Sequence, residues 1–151
     1  MIVLLDTGPL GLITNPRASP EPEECRAWFT QLTVSEHSIV IPEICDYELR
    51  RELIRVRRRT GLDRLDQLRE VADFMELNSD IMLRAAQYWA RARRSGHPTA
   101  HHHALDADMI LAAKAWWAQD GNNDVVVATT NPRHLSNFVE AELWQNINPG
   151  P

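Results

Sequence analysis

The chain has 151 residues, a net charge of −5 and 44% apolar residues. That length suits a single domain over residues 1–151 that buries roughly 70% of its unfolded surface, and the acidic balance excludes a generally basic nucleic-acid binder. No apolar run approaches the roughly 18 residues of a membrane span, and no charged region precedes an apolar core at the N-terminus, so neither a membrane protein nor a signal peptide is expected. Cys25 and Cys45 lie in helical patterns; two cysteines in a chain with an adequate core read as reduced, packed thiols, and the expected location is cytoplasmic.

In chain order, short apolar runs alternate with longer helical patterns. Ile2 to Leu5 reads as a buried strand, and Asp6 stands at its carboxyl end before a tight turn at Thr7-Gly8-Pro9. Pro20 to Leu32 reads as a helix, with Pro22 in its first turn and Glu23-Glu24 at the positive end of its dipole. Ser38 to Ile41 forms a second strand that Pro42 ends. Glu43 to Arg59 is helical, with Cys45, Leu49, Leu53 and Val56 as its core stripe, and Thr60-Gly61 stops it. A helix from Asp63 to Ala72 and a short strand over Phe74 to Asn78 follow. Ser79-Asp80 then caps a helix that runs to Arg94 and carries Ile81, Ala85, Tyr88 and Ala92 at helical spacing.

Ser95-Gly96-His97-Pro98 is a break. Leu105 to Ala118 is helical and apolar almost all round, as a helix buried between other elements should be, and Gly121-Asn122-Asn123 ends it. Asp124 to Ala128, with three valines in a row, is a strand, followed by Thr129-Thr130-Asn131-Pro132. This order predicts an α/β fold with a mainly parallel sheet.

Ligands of open parallel sheets bind beyond the carboxyl ends of the strands. Asp6 there is a metal ligand, a nucleophile or a cap for the following turn. Glu48 sits roughly 60° outside the Cys45 to Val56 stripe at 100° per residue; it either faces a site or pairs with Arg51 or Arg55 on the surface. Asp106 and Asp108 point about 200° apart on a regular helix, so they cannot both face one site from within it. Asp106 suits the N-cap and Asp108 the first turn, where it complements the dipole or meets a bound cation. Asn131 is a turn former before proline or an uncharged oxygen ligand. Such oxygen donors suit magnesium or manganese rather than zinc. His101-His102-His103 are adjacent, which rarely gives a tetrahedral zinc site, and a loop role is expected for them.

Fifteen of the sixteen basic residues are arginine. Six of them, Arg50, Arg51, Arg55, Arg57, Arg58 and Arg59, fall within ten residues. They form either a solvated face balanced by Glu43, Glu48 and Glu52, or a strip for phosphates or an acidic partner.

Leu4-Leu5-Asp6-Thr7, Ile41 to Leu49 with Glu48, Asp106 to Ala113 with Asp108, and Ala128-Thr129-Thr130-Asn131 resemble, in order, the four acidic motifs of PIN domains, and most closely those of VapC-like toxins of toxin–antitoxin pairs. The resemblance spans residues 2 to about 147, including a tail from Phe138 to Ile147. It implies a single-domain α/β/α sandwich and a Mg2+- or Mn2+-dependent ribonuclease. By residue it implies acidic ligands at Asp6, Glu48 and Asp108, with Asp106 assisting, a hydroxyl at Thr129, and Asn131 where many members carry aspartate. It also implies an RNA substrate, an antitoxin partner and a homodimer. A haloacid-dehalogenase-type phosphatase would want a second acid where Gly8 stands. A PIN-like module that binds RNA or protein without cutting stays open, as does an RNA-processing nuclease outside any toxin pair.

Overall fold

The computed structural model describes residues 1–95, 102–119 and 123–150, and of residues 102–104 the backbone alone. His101, most of the break at 95–98 and most of the expected stop at 121–123 lie outside the described residues, whereas the backbone of His102 and His103, expected in a loop, begins a helix instead.

Strands β1 (Ile2–Leu5), β2 (Ser38–Pro42), β3 (Asp73–Met75), β4 (Val125–Thr129) and β5 (Ala141–Leu143) form one sheet in the order β3-β2-β1-β4-β5. Every pairing is parallel, with Leu4 beside Val40 and Val127. β1 and β4 are buried along almost their whole length, as strands covered on both faces should be. The layers above and below come from α1 (Thr7–Thr14), α2 (Pro20–Thr33), α3 (Glu43–Arg55), α4 (Arg59–Leu68), α5 (Ser79–Arg94) and α6 (His102–Ala118). The expected α/β sandwich with a parallel sheet is thus what the chain adopts. Among the described residues no helix is long and apolar enough to cross a membrane.

The principal core joins Val3, Leu4 and Leu5 to Leu10, Leu32, Ile41, Leu111 and Val127. Cys25 and Cys45 are free and buried within it, as expected. The chain's last third is tied back onto α2: Trp28 and Trp144 meet with ring centroids 5.6 Å apart, and Trp28 Nε1 donates to the Ile147 carbonyl at 2.9 Å.

Several boundaries depart from the sequence reading. Thr7-Gly8-Pro9 opens α1 instead of making a tight turn; Pro9 is tolerated because first-turn N–H groups have no intrahelical partner. α3 ends at Arg55, so Val56 lies past its end, 45% exposed, and drops out of the core stripe. The break falls at Arg57, a non-glycine residue at φ 56°, and Thr60-Gly61 belongs to the first turn of α4 instead of stopping a helix. Accordingly α4 spans Arg59–Leu68, ahead of the expected Asp63 to Ala72. β3 lies one residue earlier than expected and is shorter. The cap of α5 is Asn78, whose side chain accepts from the Ile81 N–H at 2.9 Å. α6 starts at His102, so Asp106 lies inside the helix and is not its N-cap. β5 was not anticipated.

One close approach fixes how α1 meets the end of β4. A Cβ added at Gly8 would fall 2.4 Å from Thr130 Oγ1 and 3.2 Å from its Cβ. Thr130 is β-branched and stiff, so Gly8→Ala is expected to lower stability by about 1–3 kcal/mol, read as a lower urea midpoint with an unchanged slope.

Candidate active site

The site begins with how β1 hands over to α1. Asp6 continues the β1–β4 pairing, its N–H donating to the Ala128 carbonyl at 3.0 Å. Its side chain then caps α1, Oδ1 accepting from the Thr7 N–H at 2.7 Å. The other oxygen, Oδ2, accepts from the Thr129 hydroxyl at 2.6 Å. Thr129 is held in turn by the Asn131 backbone N–H, 3.0 Å from its Oγ1. Asn131 therefore touches this group through its backbone, and its exposed side chain makes no hydrogen bond among the described residues.

Glu48, half-buried on α3, accepts from the Thr7 hydroxyl through Oε2 at 2.9 Å, and its Oε1 lies 3.7 Å from Arg51. The pairing with Arg51 fits one of the two roles the sequence left open for Glu48, and the contact with Thr7 ties the same carboxylate to the Asp6 end of α1. Thr7 is the member of the site that sequence reasoning assigned no role; its position next to Asp6 is the only signal it carries.

Asp108 is half-buried on α6. Burial first, and then the charges of Asp6 and Glu48, push its carboxyl up to about 7. Burial also raises Asp6, against the hydrogen bonds from Thr129 and Thr7. Glu48 is raised by burial, with the Thr7 hydrogen bond opposing and the Asp6 charge adding to the rise. The buried Cys45 thiol, 4.0 Å from Asp6 Oδ1, is held well up by burial and by the same two carboxylates. Asp6, Glu48 and Asp108, from three separate elements, thus act on one another electrostatically at the carboxyl end of the sheet.

Asp106 goes elsewhere. It is exposed and lines a groove of about 370 Å³ with Met82, Trp89 and Met109, between α5 and α6. This is the divergence that their two-residue spacing predicts.

Among the described residues no three His, Cys, Asp or Glu side chains stand close enough to hold a metal ion as they are. The chemistry of the donors nevertheless fits a hard dication: oxygen atoms only, anionic, and mutually repelling. Arg51, at 3.7 Å, is the only cation paired with any of the three among the described residues.

This repulsion gives a sign for stability in EDTA. Asp108 titrates near 7 in the folded chain against a usual 3.8, so the folded state holds the extra proton between those values. Stability from this group is therefore lost as pH rises through that window. Asp108→Asn is expected to raise stability at pH 8 by about 1–2 kcal/mol, a figure reduced for solvent screening of a carboxyl that water still reaches. At pH 4.5 the gain should nearly vanish. Melting curves at the two pH values check this, and an equal gain at both would contradict it.

The arginine strip divides. Arg50 pairs with Asp46 and Asp66, Arg51 with Glu48, and Arg55 with Glu52. Glu43, expected to balance the strip, instead accepts from the Leu77 N–H at 2.6 Å.

A five-stranded parallel α/β fold with a carboxylate group at the strand ends is the class these observations define. No family model and no curated protein matches the sequence. Solved structures do match the fold. VapBC-1 from nontypeable Haemophilus influenzae aligns at TM-score 0.68 and 16% identity, over 97% of this chain and 100% of that one. VapBC2 from Rickettsia felis, bound to a DNA fragment from their promoter, aligns at TM-score 0.70 and 14% identity, over 94% and 98%. DNA-bound VapBC from Salmonella typhimurium aligns at TM-score 0.66 and 20% identity, over 95% and 98%. What this chain shares with all three is the fold.

Proposed function

We propose that this chain is a metal-dependent endoribonuclease that hydrolyses RNA phosphodiester bonds, and that it is the toxin of a toxin–antitoxin pair. The observation that carries the reading is the coupling of Asp6, Glu48 and Asp108 at the carboxyl end of a parallel sheet. Structural likeness to VapBC chains over nearly the whole length supports the toxin assignment and an antitoxin protein as partner. The resemblance of the four acidic motifs supports RNA as substrate, Mg2+ or Mn2+ as cofactor and a homodimer as the working unit.

Asp6, Glu48 and Asp108 would hold the dication. When bound, it neutralises charge on the phosphoryl oxygens and lowers the pKa of a water. The chain's own residues set the geometry. Thr129 and the Thr7 N–H fix both oxygens of Asp6, and the Thr7 hydroxyl fixes one oxygen of Glu48. Rigidly held acceptors are what positioning catalysis requires.

The test is RNA cleavage by the purified chain, free of partner, in magnesium, manganese and EDTA. Shortened RNA in either metal and intact RNA in EDTA is the expected result. RNA that shifts in a gel but never shortens would instead assign the chain to the non-cleaving modules.

A further inference from the structure

The C-terminal ends of α1 and α3 and the first turn of α4 enclose a pocket of about 530 Å³. Gly11, Thr14 and Asn15 line it from α1 and its end, Leu53 from α3, and Thr60 and Gly61 from α4. Its charge comes from Arg17, Arg57, Arg58 and Arg59, and no acidic residue lines it. The last three are exposed, and among the described residues none of their side chains makes a hydrogen bond, ion pair or ring contact. They contrast with Arg50, Arg51 and Arg55 on the preceding helix, all of which are paired. Three consecutive unpaired guanidinium groups in a chain of net charge −5 concentrate positive charge at one place. Their position depends on Arg57 turning the chain at φ 56° between α3 and α4. α4 also opens there without a side-chain cap.

From these observations we infer that this pocket is a second binding site, for consecutive backbone phosphates of the RNA whose cleavage is proposed above, and the inference rests on that reading. Planar guanidinium groups bind phosphate in bidentate fashion. Placement favours RNA over an acidic protein segment. α1 runs from Asp6 at its first end to Asn15 at the pocket, a distance of about 13 Å at 1.5 Å per residue. α3 likewise carries Glu48 in its middle and leads to Arg57. Roughly four nucleotides at a stacked rise of 3.4 Å cover that distance, so one strand reaches both sites. The pocket then holds the strand beside the cleavage point and adds affinity without touching the reacting atoms.

The experiment measures binding, so it does not depend on cleavage. A fluorescent 2′-O-methyl oligonucleotide, which resists hydrolysis, is titrated with wild-type chain and with Arg57→Gln/Arg58→Gln/Arg59→Gln in EDTA, by anisotropy. For an eight-nucleotide probe the variant should bind at least tenfold more weakly at 50 mM salt. Its slope of log K against log salt should shrink by about 2, the value for three phosphate contacts on a single strand at about 0.7 each. A two-nucleotide probe, too short to offer three phosphates, should show a slope difference of at most about 1. Because these exposed side chains make no hydrogen bond or ion pair among the described residues, the melting temperature should move little, which separates lost binding from lost folding.

Equal affinity and equal slope for the two proteins on the long probe would overturn the inference while leaving the nuclease reading intact. So would competition by a poly-glutamate peptide as effective as that by the oligonucleotide, since the pocket would then be reading carboxylates. Cleavage absent in every metal, with the tenfold loss still present, would instead sink the nuclease reading and keep the phosphate site.

Discussion

Asp6→Asn is expected to leave the protein folded and to reduce metal-dependent RNA cleavage at least about 100-fold. The two halves of that expectation come from different atoms. Asparagine is as good an N-cap as aspartate, so its single oxygen can keep the 2.7 Å bond from the Thr7 N–H that starts α1. The amide then faces Thr129, whose hydroxyl can turn from donor to acceptor. Asparagine lacks the negative charge that a dication would meet, and metal stabilisation of transition-state charge amounts to several kcal/mol, which is two or more powers of ten in rate. Removing one of three repelling carboxylates should also raise the melting temperature slightly at neutral pH. Initial rates in magnesium, beside a melting curve, decide the matter. A variant that melts like wild type and cleaves at a similar rate would remove Asp6 from the chemistry.

The second large effect concerns Lys114, which no solvent reaches although α6 reads as an apolar helix. Its ammonium donates to the main-chain carbonyls of Met75 and Glu76, just where β3 ends. It thereby pins α6, the helix that carries Asp108, to the carboxyl end of the sheet. Burial pulls its pKa down to about 8, against the opposing pull of Glu43, Cys45 and Glu76. Lys114→Ala removes three buried methylenes, about 2.4 kcal/mol, together with the ammonium, and leaves two carbonyls without this donor. Relief from burying a cation offsets part of that loss. The net expectation is a loss of about 3–4 kcal/mol and a fall in Tm of roughly 6–15 °C. Lys114→Met keeps most of the stem and drops the charge, so it should recover about half.

The pH dependence separates the terms. Between pH 8 and 10.5 the folded wild type has shed the lysine proton while the unfolded chain keeps it, so this group's contribution to stability rises across that window. Neither variant should show that component. Melts at pH 7 and pH 9.5 measure it, and parallel pH profiles for all three proteins would rule it out.

What could be read from residues followed local chemistry. β1, β2 and β4 were legible because short β-branched runs in a parallel sheet are apolar on both faces. α1 was not, because three of its eight residues are Gly8, Pro9 and Gly11, the poorest helix formers. β5 has three residues, Ala-Glu-Leu, too few to show any period. The end of α3 was hidden as well, since nothing in Val56-Arg57-Arg58 announces a positive φ at an arginine. For the site, the strand-end position of Asp6 was visible, and helical periodicity correctly separated Asp106 from Asp108. That an acid at the start of the apolar helix joins Asp6 at one end of the sheet was readable from their places in the chain, but Glu48's part in the group required the resemblance, because no local pattern links residues 42 positions apart. The buried state of Lys114 left no trace in the sequence, where a lone lysine on an apolar helix is indistinguishable from one that reaches solvent.

The bond from Thr129 to Asp6 joins residues 123 positions apart. A ribosome extending the chain at about 5–20 residues per second needs roughly 6–25 s to travel between them. Through that interval Asp6 exists, joined later by Glu48, while β4 is incomplete, so β1 lacks a neighbour on one side and Asp6 lacks the hydroxyl that orients it. A nascent chain therefore cannot assemble the complete carboxylate group beside the RNA that encodes it. Whatever the finished protein does, it begins only once the chain has been extended past Thr129.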